Sequence, residues 1–423
     1  MSEADAAERV RRSIEAVWKV EAPRLIGGLV RVVRDLDLAE DLAHDALLAA
    51  LETWPERGIP PNPGAWLMLT ARHRAVDRHR RRRVRDEKHG QLAASAEASF
   101  TPDLARGIDE DVGDDLLRLM LVACHPILAP EARVALTLRL LGGLTTKEIA
   151  RAFLSREATV AQRIVRAKRT LAEARVPFEV PRGEALQARV ASVLEVVYLI
   201  FNEGYAATSG DAVVRRELAE DALRLGRVLA GLVPEDAEAH GLVALMELQS
   251  SRFRARVDGD GAPVLLEAQD RSRWDRLAIQ RGLASLRRAE GLARPLGPYA
   301  LQASIAACHA RAPTAEATDW PRIVALYDAL SRVSPSPVVD LNRAVAVGRA
   351  YGVDAALAAL DALADEPALR GYPFLPSVRA HFLERQGRLA EAEAALEVAI
   401  ELTRNDRDRA LLEQRRALLA ARR

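Results

Sequence analysis

The residues best suited to contacting a charged polymer are arginines and a glutamine on one face of a predicted helix over residues 158–171. A narrow apolar stripe, with the spacing of a buried helix face, is formed by Val160, Ile164, Ala167 and Leu171. The opposite face carries Gln162, Arg166 and Arg169, flanked by Thr159 and Arg163. Arginine and glutamine can make bidentate hydrogen bonds to base edges in the major groove of DNA.

A second helix must position this one. Pro130 opens a leucine-rich helix that ends at Gly142-Gly143, and Thr145 then begins a short helix with Glu148 three residues later, the pattern of a capping box. A turn near Leu154-Ser155-Arg156 leads into the arginine-bearing helix. A short helix, a tight turn and a second helix with a polar outer face predict a helix-turn-helix, with an ordinary helical hairpin as the alternative.

A second basic element follows the Pro/Gly-rich loop ERGIPPNPGAW. From about Ala65 the pattern predicts a helix whose core face contains Met68, Ala71 and Ala75, with Leu69 and Val76 beside them. The other face carries Trp66, Thr70, His73, Arg74, Asp77 and Arg78, and the helix runs into the Arg80–Arg83 tract. An aromatic ring among arginines suits exposed bases and phosphates, although a basic run is also typical of a solvated surface.

A third element is a predicted helix over Leu38–Glu52 that has leucines on both sides. Small residues and leucines gather on one face, whereas the opposite face mixes leucines with charged groups: Glu40, Asp41, His44, Asp45, Leu47, Leu48, Leu51 and Glu52. Leucines among carboxylates indicate either a helix buried on both sides or a docking face for a protein partner with a basic rim.

Charge is distributed in blocks along the 423 residues. The 61 Lys+Arg and 60 Asp+Glu nearly cancel to a net charge of +1, but residues 72–88 are basic, residues 97–115 acidic and residues 133–175 basic again. The acidic block lacks apolar periodicity and predicts a flexible linker. The only cysteines are Cys124 and Cys308, far apart, so we expect no disulfide framework, no cysteine-based zinc site and no cofactor. The absence of a signal peptide or a long apolar run predicts a cytoplasmic protein.

The remainder, residues 182–423, has long helical patterns separated by turn signals. A weak repeat places Gly352 and Gly387 35 residues apart, close to the 34-residue period of tetratricopeptide (TPR) hairpins. We therefore expect a stack of helical hairpins with a concave surface for a partner.

Two motifs in this part could be considered catalytic, namely Asn202-Glu203-Gly204-Tyr205 and Asp270-Arg271-Ser272-Arg273-Trp274-Asp275. A helix C-cap and an ordered hairpin junction explain them better. His309 and His381 stand singly in Ala-rich helices and fit core or rim positions. No phosphate-binding glycine loop, nucleophile elbow or HExxH motif is present, so no enzymatic function is expected.

Taken in order, these elements resemble regions 2 and 4 of bacterial sigma-70 family factors, in the extracytoplasmic-function (ECF) group. The matching residues are Asp37–Asp45, then Ala65-Trp66-Leu67 through Arg81-Arg82, then Glu148-Ile149-Ala150 through Arg166-Ala167. The C-terminal part, with Phe201–Tyr205, Gln269–Trp274 and Leu341–Ala346, resembles the subgroup that carries a TPR-like extension.

The resemblance implies an all-α fold with two small helical sigma domains, a linker and a TPR-like hairpin stack. The implied bounds are 1–90 for the region 2 domain, 91–115 for an acidic flexible linker, 116–177 for the region 4 helix-turn-helix domain and 182–423 for the extension. The implied partners are promoter DNA, the RNA polymerase core through its β′ clamp helices and β flap, and a regulatory protein on the extension.

The resemblance also implies roles for residues. Core polymerase would be bound by Glu40, Asp41, His44, Asp45, Leu47, Leu48 and Leu51. The −10 element, with a base flipped from the non-template strand, would be bound by Arg57, Asn62, Trp66, Thr70, His73, Arg74, Asp77, Arg78, Arg81 and Arg82. The −35 duplex would be bound by Arg156, Thr159, Gln162, Arg163, Arg166 and Arg169. The linker would run toward the RNA exit channel.

Three positions depart from the family pattern: His44 replaces a frequent Gln, His73 replaces Asn, and Leu154-Ser155 replaces a usual turn glycine. A stand-alone helix-turn-helix regulator with a helical-repeat sensor is the competing hypothesis. Only the sigma hypothesis requires the Glu40–Leu51 face to bind polymerase.

Overall fold

A computed structural model describes residues 3–88, 112–153, 155–205, 215–259 and 263–422 of the chain. Within these ranges the chain is helical, and the β pairing is confined to an isolated bridge between Val257 and Pro263. The all-α fold predicted from the sequence is therefore confirmed. The helices form two compact units, Met1–Val196 and Val197–Arg423.

In its described residues the first unit contains seven α-helices and the start of an eighth. They are α1 (Glu3–Val33), α2 (Leu36–Arg57), α3 (Pro63–Lys88), α4 (Val112–Ala123), α5 (Pro130–Leu140), α6 (Thr146–Ala152), α7 (Glu157–Glu173) and α8 (Glu184–Tyr205). Helices α1, α2 and α3 pack on one another, α4 packs on α1, and α5 and α6 pack on α7.

Helix α2 is delimited by local signals and packed through small residues. The Asp35 side chain accepts a hydrogen bond from the Leu38 amide at 3.0 Å, which caps the first turn. Gly58, at φ 80°, follows the last turn in a conformation that favours glycine. The face predicted to be buried is buried, with Leu42, Ala46 and Ala50 fully enclosed.

The buried face of α3 differs from the prediction. Ala71 and Ala75 are buried as expected, but the third buried position is Leu67. The side chains of Leu69 and Val76, predicted beside the core, are 55% and 47% exposed. Because α3 packs on both α1 and α2, its neighbours select residues 67, 71 and 75 rather than the adjacent apolar positions.

The predicted acidic linker over residues 91–115 lies for the most part outside the described residues. Its last four residues belong to helix α4, which corrects the predicted boundary. Asp115 is buried there, with Arg118 Nη1 at 2.7 Å and Arg31 Nε at 3.3 Å from its carboxylate oxygens. The two arginines explain how a carboxylate of the acidic block is accommodated in the core.

The start of α8 belongs to the first unit, although the extension was predicted to begin at residue 182. The buried Arg133 of α5 donates from Nη1 to Ser192 Oγ at 2.7 Å and to Glu195 Oε2 at 2.8 Å. Ser192 Oγ donates to the Cys124 carbonyl, and Arg189 donates to the Leu121 carbonyl at 2.7 Å. Residues 184–196 therefore satisfy polar groups of α4 and α5.

The described part of the second unit continues with the end of α8 and ten more α-helices. These are α9 (Arg216–Leu232), α10 (Ala237–Ser250), α11 (Arg276–Leu292), α12 (Pro298–Arg311), α13 (Trp320–Val333), α14 (Pro337–Tyr351), α15 (Val353–Asp361), α16 (Phe374–Arg385), α17 (Leu389–Leu402) and α18 (Asp406–Ala420). Each of the pairs α13–α14, α14–α15, α16–α17 and α17–α18 is packed together. The two glycines of the weak repeat, Gly352 at φ 104° and Gly387 at φ 82°, lie between packed helices.

The two motifs considered catalytic have structural contacts. Asn202-Glu203-Gly204 lies inside α8 rather than in a C-cap turn, which corrects that interpretation. A Cβ at Gly204 would lie 2.4 Å from the Ala219 nitrogen, so glycine permits the close packing of α9. Asp270 caps the short 3₁₀ turn Arg271–Arg273, and Arg271 donates to the Ala312 carbonyl at 2.8 Å. The hairpin-junction interpretation of the second motif agrees with these contacts.

No helix among the described residues is both long and apolar enough to cross a membrane.

Candidate nucleic-acid interface

Helix α7 presents the basic surface predicted for duplex recognition. Its apolar stripe is buried at Val160, Ile164, Ala167 and Leu171. On the outer face Arg163 is half-buried, whereas the following five predicted side chains are exposed: Arg156, Thr159, Gln162, Arg166 and Arg169. Arg169 Nε donates to Glu173 Oε1 at 2.7 Å, one turn along the helix. Arg166 and Gln162 thus stand on a solvent-facing, helical surface suited to a major groove.

The helix preceding α7 is fixed by its predicted cap. Thr145 Oγ1 accepts from the Glu148 amide at 3.2 Å, and Glu148 Oε2 accepts from the Thr145 amide at 2.7 Å. Both hydrogen bonds of the capping box are therefore present. The Thr145 bonds hold the pKa of Glu148 below its usual value against the opposing effect of burial. Residue 154 of the turn lies outside the described residues.

Helix α3 carries the predicted single-strand surface. Trp66 is half-buried, with its ring edge-to-face against Trp54 at 5.3 Å. Thr70 Oγ1 donates to the Trp66 carbonyl at 2.8 Å, and Asn62 caps the helix by accepting from the Ala65 amide at 3.0 Å. The remaining described members of the set are exposed: Arg57, His73, Arg74, Asp77 and Arg78. Arg81 and Arg82 lie in the last turns of the same helix.

Two apolar residues missed by the sequence interpretation belong to this surface. Leu69 and Val76 are exposed and lie one turn before and about one turn after His73 on α3. Aliphatic groups next to arginines can cover the face of an unstacked base. A signal for them was present in the sequence: α3 has more apolar residues than one buried stripe of a helix can contain, so some of them must be exposed.

The predicted polymerase-binding face on α2 is exposed only in part. Leu48 is 55% exposed and Asp41 is exposed, whereas Asp45, Leu47 and Leu51 are half-buried. Asp41 Oδ2 lies 3.4 Å from Arg78 Nη1 of α3, so a residue of the predicted core-binding set pairs with one of the −10 set. An exposed leucine bordered by carboxylates is not explained by burial on both sides of α2.

The first turns of this face contact the region of α5–α7. Arg139 Nε lies 2.6 Å from Glu40 Oε1, and Lys168 Nζ lies 2.6 Å from both Glu40 Oε2 and Asp37 Oδ1. His44 Nδ1 lies 2.8 Å from the Glu40 carbonyl and must donate to it, so Nε2, 3.1 Å from Arg139 Nη2, accepts. Glu40 is only 6% exposed. We name Asp37, Glu40, His44, Arg139 and Lys168 the α2–α7 charge cluster.

The pKa values in this cluster follow from its charges. Burial alone would raise the pKa of Glu40, but Lys168 and Arg139 outweigh it and lower the pKa below 4.5. Burial alone would lower the pKa of Lys168, but Glu40 and Asp37 raise it above 10.5. Both groups are therefore charged across neutral pH, and the ion pair is formed there.

Replacing Glu40 by glutamine is expected to lower the free energy of unfolding by about 3 kcal/mol at pH 7, because the partly buried Arg139 loses its carboxylate and Lys168 keeps only that of the exposed Asp37. The folded pKa of Glu40 is depressed, so its contribution is present above pH 4.5 and is lost as pH falls through the folded value. The difference in unfolding free energy between wild type and Glu40→Gln should therefore shrink as the pH is lowered. Urea unfolding, monitored by tryptophan fluorescence at a series of pH values, measures this difference.

The matched control is Asp41→Asn, which removes a neighbouring carboxylate whose partner Arg78 is solvent-exposed. The Asp41→Asn variant should lose no more than about 0.5 kcal/mol of unfolding free energy, and this loss should not depend on pH in the same way. Equal losses in the two variants would contradict the role assigned to the buried cluster.

The predicted site residues thus form three surfaces within one unit. The structure joins the α2 face to α7 through Lys168 and to α5 through Arg139, two residues that the sequence interpretation did not select. The outer face of α7, with Gln162 and Arg166, takes no part in the contact between α7 and α2. The partners in the cluster are separated by 99 and 128 residues in sequence, and no local pattern pairs them.

Comparison with protein-family models gives three matches. Residues 18–85 match sigma-70 region 2, residues 118–171 match sigma-70 region 4, and residues 189–290 match a family of unknown function, DUF6596. The first match covers α2 and most of α3, and the second covers the helix-turn-helix. The matched regions therefore coincide with the surfaces described above.

Similar proteins support the same class. The chain is 43% identical over 400 residues to an uncharacterized protein of Rhizobium meliloti (strain 1021), covering 94% of each. It is 30% identical over 152 residues to the ECF RNA polymerase sigma factor SigK of Mycobacterium ulcerans (strain Agy99), covering 35% of this chain and 78% of that protein. It is 27% identical over 179 residues to the probable ECF RNA polymerase sigma factor SigI of Mycobacterium tuberculosis (strain ATCC 25618 / H37Rv), covering 42% of this chain and 60% of that protein.

Regions 2 and 4 in this order define the chain as a transcription initiation factor of the sigma-70 type. It belongs to the family of ECF RNA polymerase sigma factors.

Proposed function

We propose that this sigma factor binds the RNA polymerase core through the α2 face, engages the −10 element through α3 and reads the −35 element through α7. The observation that carries the proposal is the exposed Leu48 among carboxylates on α2, in the same unit as the exposed arginine face of α7. A stand-alone regulator needs only the second of these surfaces. Exposed leucine with a charged border suits a protein interface, here the β′ clamp helices.

At the −10 element, Trp66, Leu69 and Val76 would contact a base removed from the stack, while the arginines from Arg57 to Arg82 neutralise phosphates. The Trp54 ring behind Trp66 keeps the Trp66 ring in one orientation, which reduces the entropy lost on binding. At the −35 element, Gln162 and Arg166 would contact base edges and Arg163, Arg169 and Arg156 would contact phosphates.

The α2–α7 charge cluster would have to open during this process. Asp37, Glu40 and His44 lie on the same face of α2 as Leu48, and Arg139 and Lys168 occupy the first turns of that face. Basic residues at the rim of the clamp helices would form ion pairs with the carboxylates of Asp37 and Glu40 in place of Arg139 and Lys168. Core binding therefore competes with an internal contact and would be sensitive to salt.

The second unit is proposed to modulate this activity, either through a protein held on its hairpin stack or through a contact within the chain. The packed helix pairs and the two positive-φ glycines 35 residues apart support the TPR-like subgroup. The function of DUF6596 would then be regulatory rather than catalytic.

Run-off transcription with purified core polymerase tests the proposed function. The chain should convert core that is inactive on a promoter library into an enzyme that gives discrete transcripts, with start sites downstream of a shared −35/−10 pair. A chain ending at Tyr205 should give the same start sites with an altered yield, because it retains all polar partners of Arg133. No discrete transcript with either form would overturn the sigma proposal, and identical yields would exclude modulation by the second unit.

A further inference from the structure

The second unit contains a cavity of about 530 Å³ that takes no part in the proposed contacts with DNA and polymerase. Its walls come from α8, α10, α12, α13 and α14, and from Arg252, Leu266 and Trp274 between α10 and α11, all within the unit. The volume lies in the range of pockets that hold small molecules. The exposed residues Val338 and Asn342 belong to its lining and mark an opening to solvent.

The charge inside the cavity is positive and uncompensated. Among the residues that the structure describes, Arg252 is the single arginine of the lining, and no lysine or carboxylate lines it. Its guanidinium donates to the Tyr205 hydroxyl and to the Gln249 amide oxygen, both neutral. His309 also lines the cavity, but it is uncharged at neutral pH. Burial, together with the nearby charges of Arg252 and Arg271, lowers its pKa to about 4. A half-buried arginine without a carboxylate partner is a favourable site for an anion.

The remaining surface is suited to an apolar or aromatic group. Tyr198, Trp274 and Tyr327 contribute three aromatic rings, and Leu245, Leu248 and Ile305 contribute aliphatic groups. The Arg252 guanidinium lies 5.8 Å from the centre of the Tyr205 ring and 5.9 Å from that of Trp274, so it is held between two aromatic side chains. The cationic group and the apolar walls are thus presented together in one solvent-accessible cavity.

We propose that this cavity is a binding site for a small organic acid, whose anionic group pairs with Arg252 while its aromatic or aliphatic body packs against Tyr198, Trp274 and Tyr327. The donors that the lining offers to the anion include the guanidinium of Arg252, the Gln249 amide nitrogen and Trp274 Nε1, which is buried without a hydrogen-bond partner. A cationic ligand would meet no carboxylate in the lining, and a purely apolar one would leave the arginine without an anion. The site gives the second unit the chemistry of a metabolite sensor.

The test is direct binding to the full chain, without polymerase, so that its outcome is independent of the proposed sigma function. The probe is 8-anilinonaphthalene-1-sulfonate, whose fluorescence rises on entering an apolar site. We expect one saturable site, from which 1-naphthoate displaces the probe at least tenfold more effectively than the neutral 1-naphthamide. Equal displacement by acid and amide would overturn the assignment of an anion site.

Variants locate the site. Arg252→Gln should weaken binding of both the probe and 1-naphthoate roughly tenfold or more, whereas Arg252→Lys should retain part of the affinity. The matched control is Arg254→Gln, which removes an exposed arginine two residues away outside the lining. Losses of equal size at Arg252 and Arg254 would overturn the proposal, because they would indicate general electrostatic attraction.

A cavity-filling variant tests the site independently of Arg252, in case substitution of that arginine disturbs the fold. Ala306 lies in the wall on α12 and is half-buried, so Ala306→Phe should fill part of the volume with the arginine unchanged. We expect it to abolish saturable probe binding while circular dichroism and thermal unfolding remain close to wild type. Undiminished binding by a folded Ala306→Phe protein would place the probe elsewhere and overturn the proposal.

Discussion

Replacing Leu48 by aspartate is expected to weaken binding to the RNA polymerase core strongly while leaving the chain folded. The Leu48 side chain is 55% exposed, so the substitution costs little in the free chain. In the complex, a carboxylate would be buried against apolar groups without a partner, at a cost of about 3 kcal/mol or more, which corresponds to roughly a hundredfold in affinity. Biolayer interferometry with immobilised core polymerase measures the change.

The matched control for this experiment is Leu277→Asp. Leu277 is 58% exposed on α11 of the second unit, so it provides the same chemical change on a surface to which no polymerase contact is assigned. Its affinity for the core should stay within a factor of two or so of wild type. A Leu48→Asp chain that still bound core with wild-type affinity would show that core polymerase contacts a surface other than the one around Leu48, and would overturn the role proposed for the α2 face.

The second large effect is expected at Arg166 of α7. Arg166→Ala should weaken promoter binding by roughly 1–3 kcal/mol, because an exposed arginine on the outer face of a recognition helix can make a bidentate contact to a base edge. Fluorescence anisotropy with the sigma–core complex and a promoter found by run-off transcription gives the affinity. The loss should vanish on a duplex in which the −35 element has been scrambled, since wild type then has no base contact to lose.

Arg169→Ala is the comparison for that variant. Arg169 lies on the same face of α7, but its Nε already donates to Glu173 at 2.7 Å, so its removal should cost less and should be independent of sequence. Equal losses for Arg166→Ala on the intact and scrambled elements would show that Arg166 contacts phosphate and would assign base readout to another residue of α7.

Local signals account for most of what could be predicted from the sequence. The capping box at Thr145 and Glu148 and the buried stripe of α7 both depend on residues within a few positions of one another. Periodicity therefore located the helix-turn-helix and the exposed face of α7 correctly.

Interactions between distant segments account for what could not be predicted. The choice of Leu67 over Leu69 as a core residue depends on how α1 and α2 pack around α3. The pairing of Glu40 with Lys168 depends on how α7 packs against α2. No local sequence pattern around Glu40 predicts which cation it pairs with. Gly204 was interpreted as a turn residue because its close approach to Ala219 is visible only in three dimensions.

The contacts of Arg133 have a consequence for how such a chain can evolve. Its side chain is 8% exposed, and its polar partners, Ser192 and Glu195, lie beyond residue 171, where the match to sigma-70 region 4 ends, and inside the span matched by DUF6596. A deletion that removed Ser192 and Glu195 would take the hydroxyl and the carboxylate from Arg133 and would also uncover its guanidinium. The first turns of the span matched by DUF6596 therefore complete the packing of the region 4 helices, and a lineage that discards the rest of the span but keeps these turns keeps the partners of Arg133.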